Sequence, residues 1–505
     1  MTDQETFDIC IAGGGTAGWM AAAMLARFLP ATHRVTLVES AEIGTVGVGE
    51  ATIPQIHLLN NALGLDEAEF LRETKATFKL GIEFDGWQRP GQAYMHAFGP
   101  VGRAHGLLPF HHYWLRAKQA GWARPLANYS LNEMAARTLK MRRGPRTAHS
   151  PAMPYAYHFD AGLYAAFLRN YSEQRGVARV EGTIAHVEQD AESGFLTAVD
   201  LGDGRRIEAD FFIDCTGFRG LLIEQALETG FDDWTQFLPC DRAMAVPCEN
   251  GGNLTPYTRS IAHKAGWQWR IPLQHRIGNG LVYSSAHLDD DEAATLLLGN
   301  LDGSPQADPK PIRFTTGKRQ KHWNGNCLAL GLAAGFMEPL ESTSIHLVQS
   351  AVSRFLSVLP GKTPDPAIID WFNDQAQFEW TRIRDFLVLH YSANEREGEP
   401  FWDAVRHMAL PDTLAAKLEN WRATGFIHRE HEELFTEVGW FQVLAGQGIE
   451  ARDYNRLADA LSGDDLRKLL DGTEAALVEE AQQMPSHRDF LTRFANLSPQ
   501  QEASA

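Results

Sequence analysis

The feature that most constrains this chain is the stretch FDICIAGGGTAGWMAAAMLARFL at residues 7–29. A short apolar run leads into three consecutive glycines, and apolar residues then recur at helical spacing. HRVTLVES follows as a second strand and ends in Glu39, 21 residues after Gly18. Gly13, Gly15 and Gly18 satisfy G-x-G-x-x-G. The first allows a tight turn, the second lets backbone approach a pyrophosphate, and the third lets helix and strand pack closely. Thr16 and Ala17 open the helix, whose N-terminus offers partial positive charge to phosphates, and Glu39 stands where a ribose is bound. An isolated glycine turn would be weak; a strand before it, a helix after it and an acid at the next strand end predict a dinucleotide site. The alternative is a structural turn with a solvated Glu39.

Later segments choose between dinucleotides. FFIDCTGFRG (211–220) is an apolar strand ending in Asp214 and Gly217, and LALGLAAGF (328–336) is another ending in glycines. A flavin needs several such strand ends, whereas a nicotinamide dehydrogenase stops at the first fingerprint. FAD is therefore expected. No second complete fingerprint exists for a nicotinamide domain, so electrons must come from elsewhere. The Gly-rich run 43–54 reads as a loop folded close against something. Residues 160–175 read as a helix, Asp203-Gly204 as a hairpin turn, 254–286 as further strands, and the chain beyond about 360 as mainly helical.

Charge and cysteine usage narrow the partners. With 46 Lys and Arg against 64 Asp and Glu the net charge is −18, which supplies no basic stripe for nucleic acid or an anionic membrane. The five cysteines are scattered, without Cys-x-x-Cys, and the histidines lack ligand spacing, so neither a disulfide framework nor a metal site is predicted. The acidic start and the lack of an apolar run of spanning length make cytoplasm the expected compartment.

Three motifs then converge. GWQWRIP (266–272) fits W-x-W-x-I-P through Trp267, Trp269, Ile271 and Pro272; ATFKLGIEFDGW (76–87) places Lys79 in an apolar run; GFMEPLESTSIH (335–346) carries Glu341 beside two hydroxyl residues. Together they resemble the flavin-dependent tryptophan halogenase family from the first glycines to at least residue 410. The resemblance implies an α/β fold with an FAD-binding, flavin-monooxygenase-type (Rossmann-like) core, a mixed substrate-side sheet and a helical C-terminal part. It implies an FAD module from about 5–55, 155–220 and 325–350 within a core of 1–410, with 411–505 helical on the substrate side. It also implies the chemistry: FADH2 and O2 give a flavin hydroperoxide, chloride or bromide attacks it, and the hypohalous acid passes to Lys79 to halogenate an aromatic. Lys79 matches the essential lysine and Glu341 the catalytic acid. Desolvation between Phe78 and Leu80 would favour a neutral amine at Lys79. Taken singly, Lys79 also reads as a snorkelling side chain and Glu341 as a helix cap.

By the same resemblance Thr343 and Ser344 would bind halide through backbone amides, Ser344 standing where glycine is usual. Val48, Glu50 and Ala51 would lie in a loop over the cofactor, Ile184 near the adenine, and Leu332 and Ile345 beside the flavin ring. Trp267 and Trp269 would keep substrate from the hydroperoxide, although two tryptophans on one strand face also suit a core. His96 and Phe98 would stack an indole. In RATGFIHREHEELFTEVGWFQVLAGQG (422–448), Glu430 aligns with the acid that grips free tryptophan and Phe435 with its aromatic cover. The tyrosine pair of that clamp is missing, so the expected substrate is indole, an indole derivative or a larger indole-bearing molecule. A separate flavin reductase would deliver FADH2. Two other readings stay open: a flavin-dependent aromatic hydroxylase, and a non-catalytic flavin-binding scaffold.

Overall fold

A computed structural model describes residues 6–40, 49–145, 150–252 and 254–497. The chain packs into two compact units, each assembled from three separate segments. The first comprises Met1–Ala76, Phe159–Thr235 and Arg313–Thr381; the second comprises Thr77–His158, Gln236–Ile312 and Arg382–Ala505. The break expected near residue 410 therefore falls inside the second unit.

The first unit is organised by a six-stranded sheet in the order Trp323–Asn324, Cys327–Ala329, Phe211–Asp214, Phe7–Ala12, His33–Glu39, Ala178–Glu181. Its four central pairings are parallel, and Trp323–Asn324 closes one edge as an antiparallel hairpin. The central strands are almost wholly buried, as expected of parallel strands covered by helices. The helix Thr16–Phe28 buries Gly18 through Leu25, and its alanines allow close approach. The expected hairpin at Asp203-Gly204 forms between Leu196–Leu201 and Arg206–Glu208, with Gly204 at φ +88°.

A seven-stranded sheet organises the second unit, in the order Lys310–Arg313, Arg242–Ala245, Ile277–Tyr283, Gly266–Pro272, Thr258–His263, Gly81–Asp85, Ala93–Ala97. Thr258–His263 and Gly81–Asp85 run parallel, while Gly266–Pro272 pairs antiparallel with both its neighbours. The C-terminal region is helical as expected, with Asp412–Thr424, Glu437–Gly446, Gly463–Gln482 and His487–Phe494. Gln442 fixes the second of these helices to the sheet edge: it accepts from Ala97 N–H at 3.1 Å and donates to Ala97 carbonyl at 2.9 Å. Among the described residues, no helix is long and apolar enough to cross a membrane.

Candidate active site

In the first unit the glycine turn has the geometry its sequence requires. Gly13 sits at φ +110°, and a Cβ there would lie 2.2 Å from the Cys215 carbonyl oxygen. A Cβ on Gly18 would lie 1.9 Å from the Gly13 oxygen, so the third glycine sets how closely the helix approaches the turn. Gly15 differs: a Cβ there would meet nothing within 4 Å, and Gly15 caps the helix without any side-chain hydrogen bond. Open space over uncapped amides at Thr16 and Ala17 is what a pyrophosphate fits.

Glu39 lies beside this turn at the end of its strand. It accepts from Trp19 Nε1 at 3.2 Å, pairs with Arg179, and has Arg169 at 3.8 Å. It packs over Gly14, where any Cβ would overlap its carboxylate. The acid is thus held in place by cations, which suits a fixed acceptor for ribose hydroxyls.

The Asp214 carboxylate is engaged by its own chain. Its Oδ1 accepts from Thr216 N–H at 2.9 Å and the Thr216 hydroxyl at 2.7 Å, and its Oδ2 from the amides of Leu222 and Ile223 at 2.9 and 2.8 Å. It therefore shapes the turn carrying Gly217, which adopts φ +72°. Ile184 begins an antiparallel strand opposite Leu201, and Leu332 lies half-buried in the turn after Cys327–Ala329. Glu50, in the short strand Gly49–Ala51, is pushed up to about 7 by burial. Ala51 is buried; Val48 lies outside the described residues.

The segment expected to bind halide is compact. Glu341, 1% exposed, ends the turn Pro339–Glu341; Ser342 takes a left-handed φ of +59°; Thr343, buried, precedes the helix Ser344–Ser357 without capping it by its side chain. Positive φ thus falls on Ser342, whereas Ser344 is an ordinary helical residue. Serine at that position is compatible with the backbone, and the uncapped amides remain directed as an anion site needs. Ile345 is buried in the first helical turn.

In the second unit Lys79 is fully buried, with its ammonium nitrogen 5.4 Å from the centroid of the Phe98 ring. The sequence cannot show this pairing, but its cause is simple: Phe98 N–H donates to the Leu80 carbonyl at 2.8 Å, bringing the two residues side by side. A solvent-reaching lysine is thereby excluded. His96 lies opposite Ile82 and is backed by Gly439, where a Cβ would come within 3.0 Å of its Nε2. Its ring is 5.5 Å from Phe386 and 6.2 Å from Phe435; those two phenylalanines stack at 3.8 Å, and Trp440 meets Phe386 edge-on at 4.8 Å. Phe386 and Trp440 lie in helices whose patterns read simply as apolar, so no local signal separates them from core.

Trp267 and Trp269 share one face of Gly266–Pro272, with ring centroids 6.2 Å apart. Trp267 abuts Trp87, which itself packs on Tyr391 and Trp402, so it joins an aromatic core. Trp269 lies against Gly280, where even a Cβ would overlap the indole. Ile271 is buried, and the Pro272 carbonyl accepts from the Thr77 hydroxyl at 2.7 Å. Glu430 pairs with Arg382, which holds its carboxyl below the usual carboxylate range. Glu433, three residues on, takes the buried Lys417 at 3.1 Å. Among the described residues, no three of His, Cys, Asp or Glu gather where they could hold a metal ion.

The family model for tryptophan halogenases matches residues 8–463. The chain belongs to that family. Tryptophan 7-halogenase RebH of Lentzea aerocolonigenes is 35% identical over 476 residues, covering 87% of this chain and 89% of its own. Among solved structures, the flavin-dependent halogenase Xcc4156 of Xanthomonas campestris is 46% identical at a TM-score of 0.94, covering 97% of this chain and 99% of its own. BrvH, a flavin-dependent halogenase from Brevundimonas sp. BAL3, is 42% identical at 0.93, with the same coverage. The protein is therefore an enzyme, a flavin-dependent halogenase that uses FADH2, halide and O2. The α/β fold expected from the sequence agrees with these neighbours, and neither a hydroxylase nor a scaffold is favoured.

Proposed function

We propose that this halogenase acts on an indole-like ring that does not carry the free amino acid, and that Lys79 holds the oxidant for it. When bound, reduced FAD together with O2 supplies the oxidising equivalents that convert halide to hypohalous acid. The Lys79 amine either attacks the halogen or hydrogen-bonds the acid. In the first case an N–halogen bond forms, the halogen–oxygen bond breaks, and the released hydroxide takes a proton from the amine to leave water. A ring carbon then takes the halogen, the amine is regenerated, and the ring proton departs to a base. His96 and Phe98 supply aromatic faces for an electron-rich ring. Glu341, Thr343 and Ser344 are assigned to acid and halide roles on their motif. Reduced flavin is supplied by a separate flavin reductase, since the chain carries one complete glycine fingerprint, and the enzyme works in the cytoplasm.

The observation behind the substrate choice is the Arg382–Glu430 ion pair. An acid already neutralised by the chain's own guanidinium is poorly placed to grip a substrate ammonium, and Lys417 occupies Glu433 in the same way. The test incubates the enzyme with a flavin reductase, FAD, O2, chloride or bromide, and a panel of indole, substituted indoles and L-tryptophan, followed by mass spectrometry. Halogenated indoles should form at least about tenfold faster than halogenated tryptophan. Faster conversion of free tryptophan would overturn the substrate assignment. Hydroxylated products independent of halide would overturn the chemistry.

A further inference from the structure

Lys79 ends a strand of only three residues, Thr77–Lys79, too short for ladder bonds alone to fix a lysine. Its partner Ala156–Asp160 places Thr77 opposite His158, Phe78 opposite Tyr157 and Lys79 opposite Ala156. Alternation along a strand puts Thr77 and Lys79 on one face and Phe78 on the other.

On the first face the proton positions follow from counting hydrogens. Thr77 gives its single hydroxyl hydrogen to the Pro272 carbonyl at 2.7 Å. Its 3.0 Å contact with His158 Nδ1 must then run the other way, with Nδ1–H donating to the threonine oxygen. Nε2 is left as the basic nitrogen, 2.9 Å from the Thr258 hydroxyl, which donates to it while the ring is neutral. His158 is completely buried, and chiefly for that reason its pKa is held well below the ordinary value. On the other face, His487 from the C-terminal helix donates through Nδ1 to the Leu254 carbonyl at 2.8 Å. Its Nε2 accepts the Phe78 N–H at 3.3 Å, a bond that only a neutral ring can make. The Phe78 ring is enclosed by Tyr155, Phe490 and Phe494.

We propose that His158, fixed as the Nδ1–H tautomer between Thr77 and Thr258, is a positioning residue that locks the lysine strand so that the Lys79 amine faces Phe98. His487 braces the same strand from behind. The Pro272 carbonyl gives the W-x-W-x-I-P motif a second task, as the anchor that sets Thr77 and hence the histidine tautomer. This inference rests on the reading of Lys79 as the group that holds the oxidant. Its consequence is specific: loosening the strand should leave oxidant formation intact and waste the oxidant.

The experiment measures two quantities on the full-length enzyme with FADH2, O2, bromide and indole. These are the rate of flavin reoxidation and the halogenated product formed per flavin oxidised. His158→Gln moves the amide toward the Nε2 position and removes the donor to Thr77; His158→Asn keeps a donor near Nδ1. For His158→Gln, reoxidation and the KM for indole should stay within about twofold while product per flavin falls about tenfold. His158→Asn should recover most of the coupling. Equal loss in reoxidation and product, or identical behaviour of the two variants, overturns the proposal. If His158→Gln does not fold, Thr258→Val replaces it, with an expected threefold loss of coupling; unchanged coupling overturns the proposal. Lys79→Ala separates the two claims. If it still couples, the reading of Lys79 fails. If it uncouples while His158→Gln behaves as wild type, only the positioning role fails.

Discussion

At the glycine turn of the first unit the constraint is written in backbone; around His96 in the second, it is written in side chains gathered from distant segments. The turn depends on what is missing, since a Cβ at Gly13 or Gly18 would strike a carbonyl oxygen 2.2 or 1.9 Å away. The aromatic cluster depends on what arrives: His96 from a sheet edge, Phe386 from a helix, Phe435 from a connecting segment, Trp440 from another helix. A backbone site tolerates little change at its glycines and any change elsewhere. A side-chain site tolerates many substitutions, so it is where relatives can diverge in substrate.

The largest effect that would sharpen this contrast is at Lys79. Lys79→Ala should lower halogenated product by at least about a thousandfold and leave flavin affinity within about twofold, as read by product assay and flavin-binding titration. Loss of flavin affinity along with product would erase the distinction between the regions.

Next come the glycines. Gly13→Ala combines a clash with a positive φ, and should destabilise the apo-protein by about 2–4 kcal/mol in thermal unfolding. Gly15→Ala has open space, so apo stability should change by less than about 1 kcal/mol while flavin affinity falls several-fold. Equal destabilisation by both would mean the open space over Gly15 is not the phosphate seat.

Acid should then strike the two units unequally. His111 is pushed down to about 3 and His112 and His487 to about 4, chiefly by burial, and His158 is also held low; all four belong to the second unit. In the first unit His322 is pushed down to about 3. Each is neutral when folded and protonates near 6.5 when unfolded, so the unfolded chain binds more protons between those values. Stability therefore rises with pH across that window and is lost on acidification, by up to about 1.4 kcal/mol per pH unit for each group. Tryptophan fluorescence and product formation should fail at higher pH than flavin retention. Simultaneous failure would contradict the uneven distribution.

The smallest effect is at Glu430. Glu430→Gln should change turnover of indole by less than about twofold, because its partner is Arg382 and not the substrate. A tenfold loss would restore it as a substrate clamp.

Legibility from sequence follows the same division. The strand, glycine turn, helix and Glu39 lie within 33 residues, and their requirements are local sterics and a helix dipole, so spacing alone reveals them. Lys79 and Glu341 were legible only through motifs, since a buried lysine and a surface lysine carry the same letter. Asp214 was placed correctly on its strand end, but its saturation by Thr216, Leu222 and Ile223 depends on how the next turn closes. His158 and Arg382 gave no signal at all.

The amino-acid order by itself determined where backbone must bend, where a helix must begin and which strands end in glycine turns, because those depend on neighbours a few residues away. Only the tertiary structure decided that Lys79 is buried over Phe98, that Glu430 is already paired, and which nitrogen of His158 carries the proton. Those are set by pairings 19 to 195 positions apart, where burial and the count of available hydrogens outweigh any local preference.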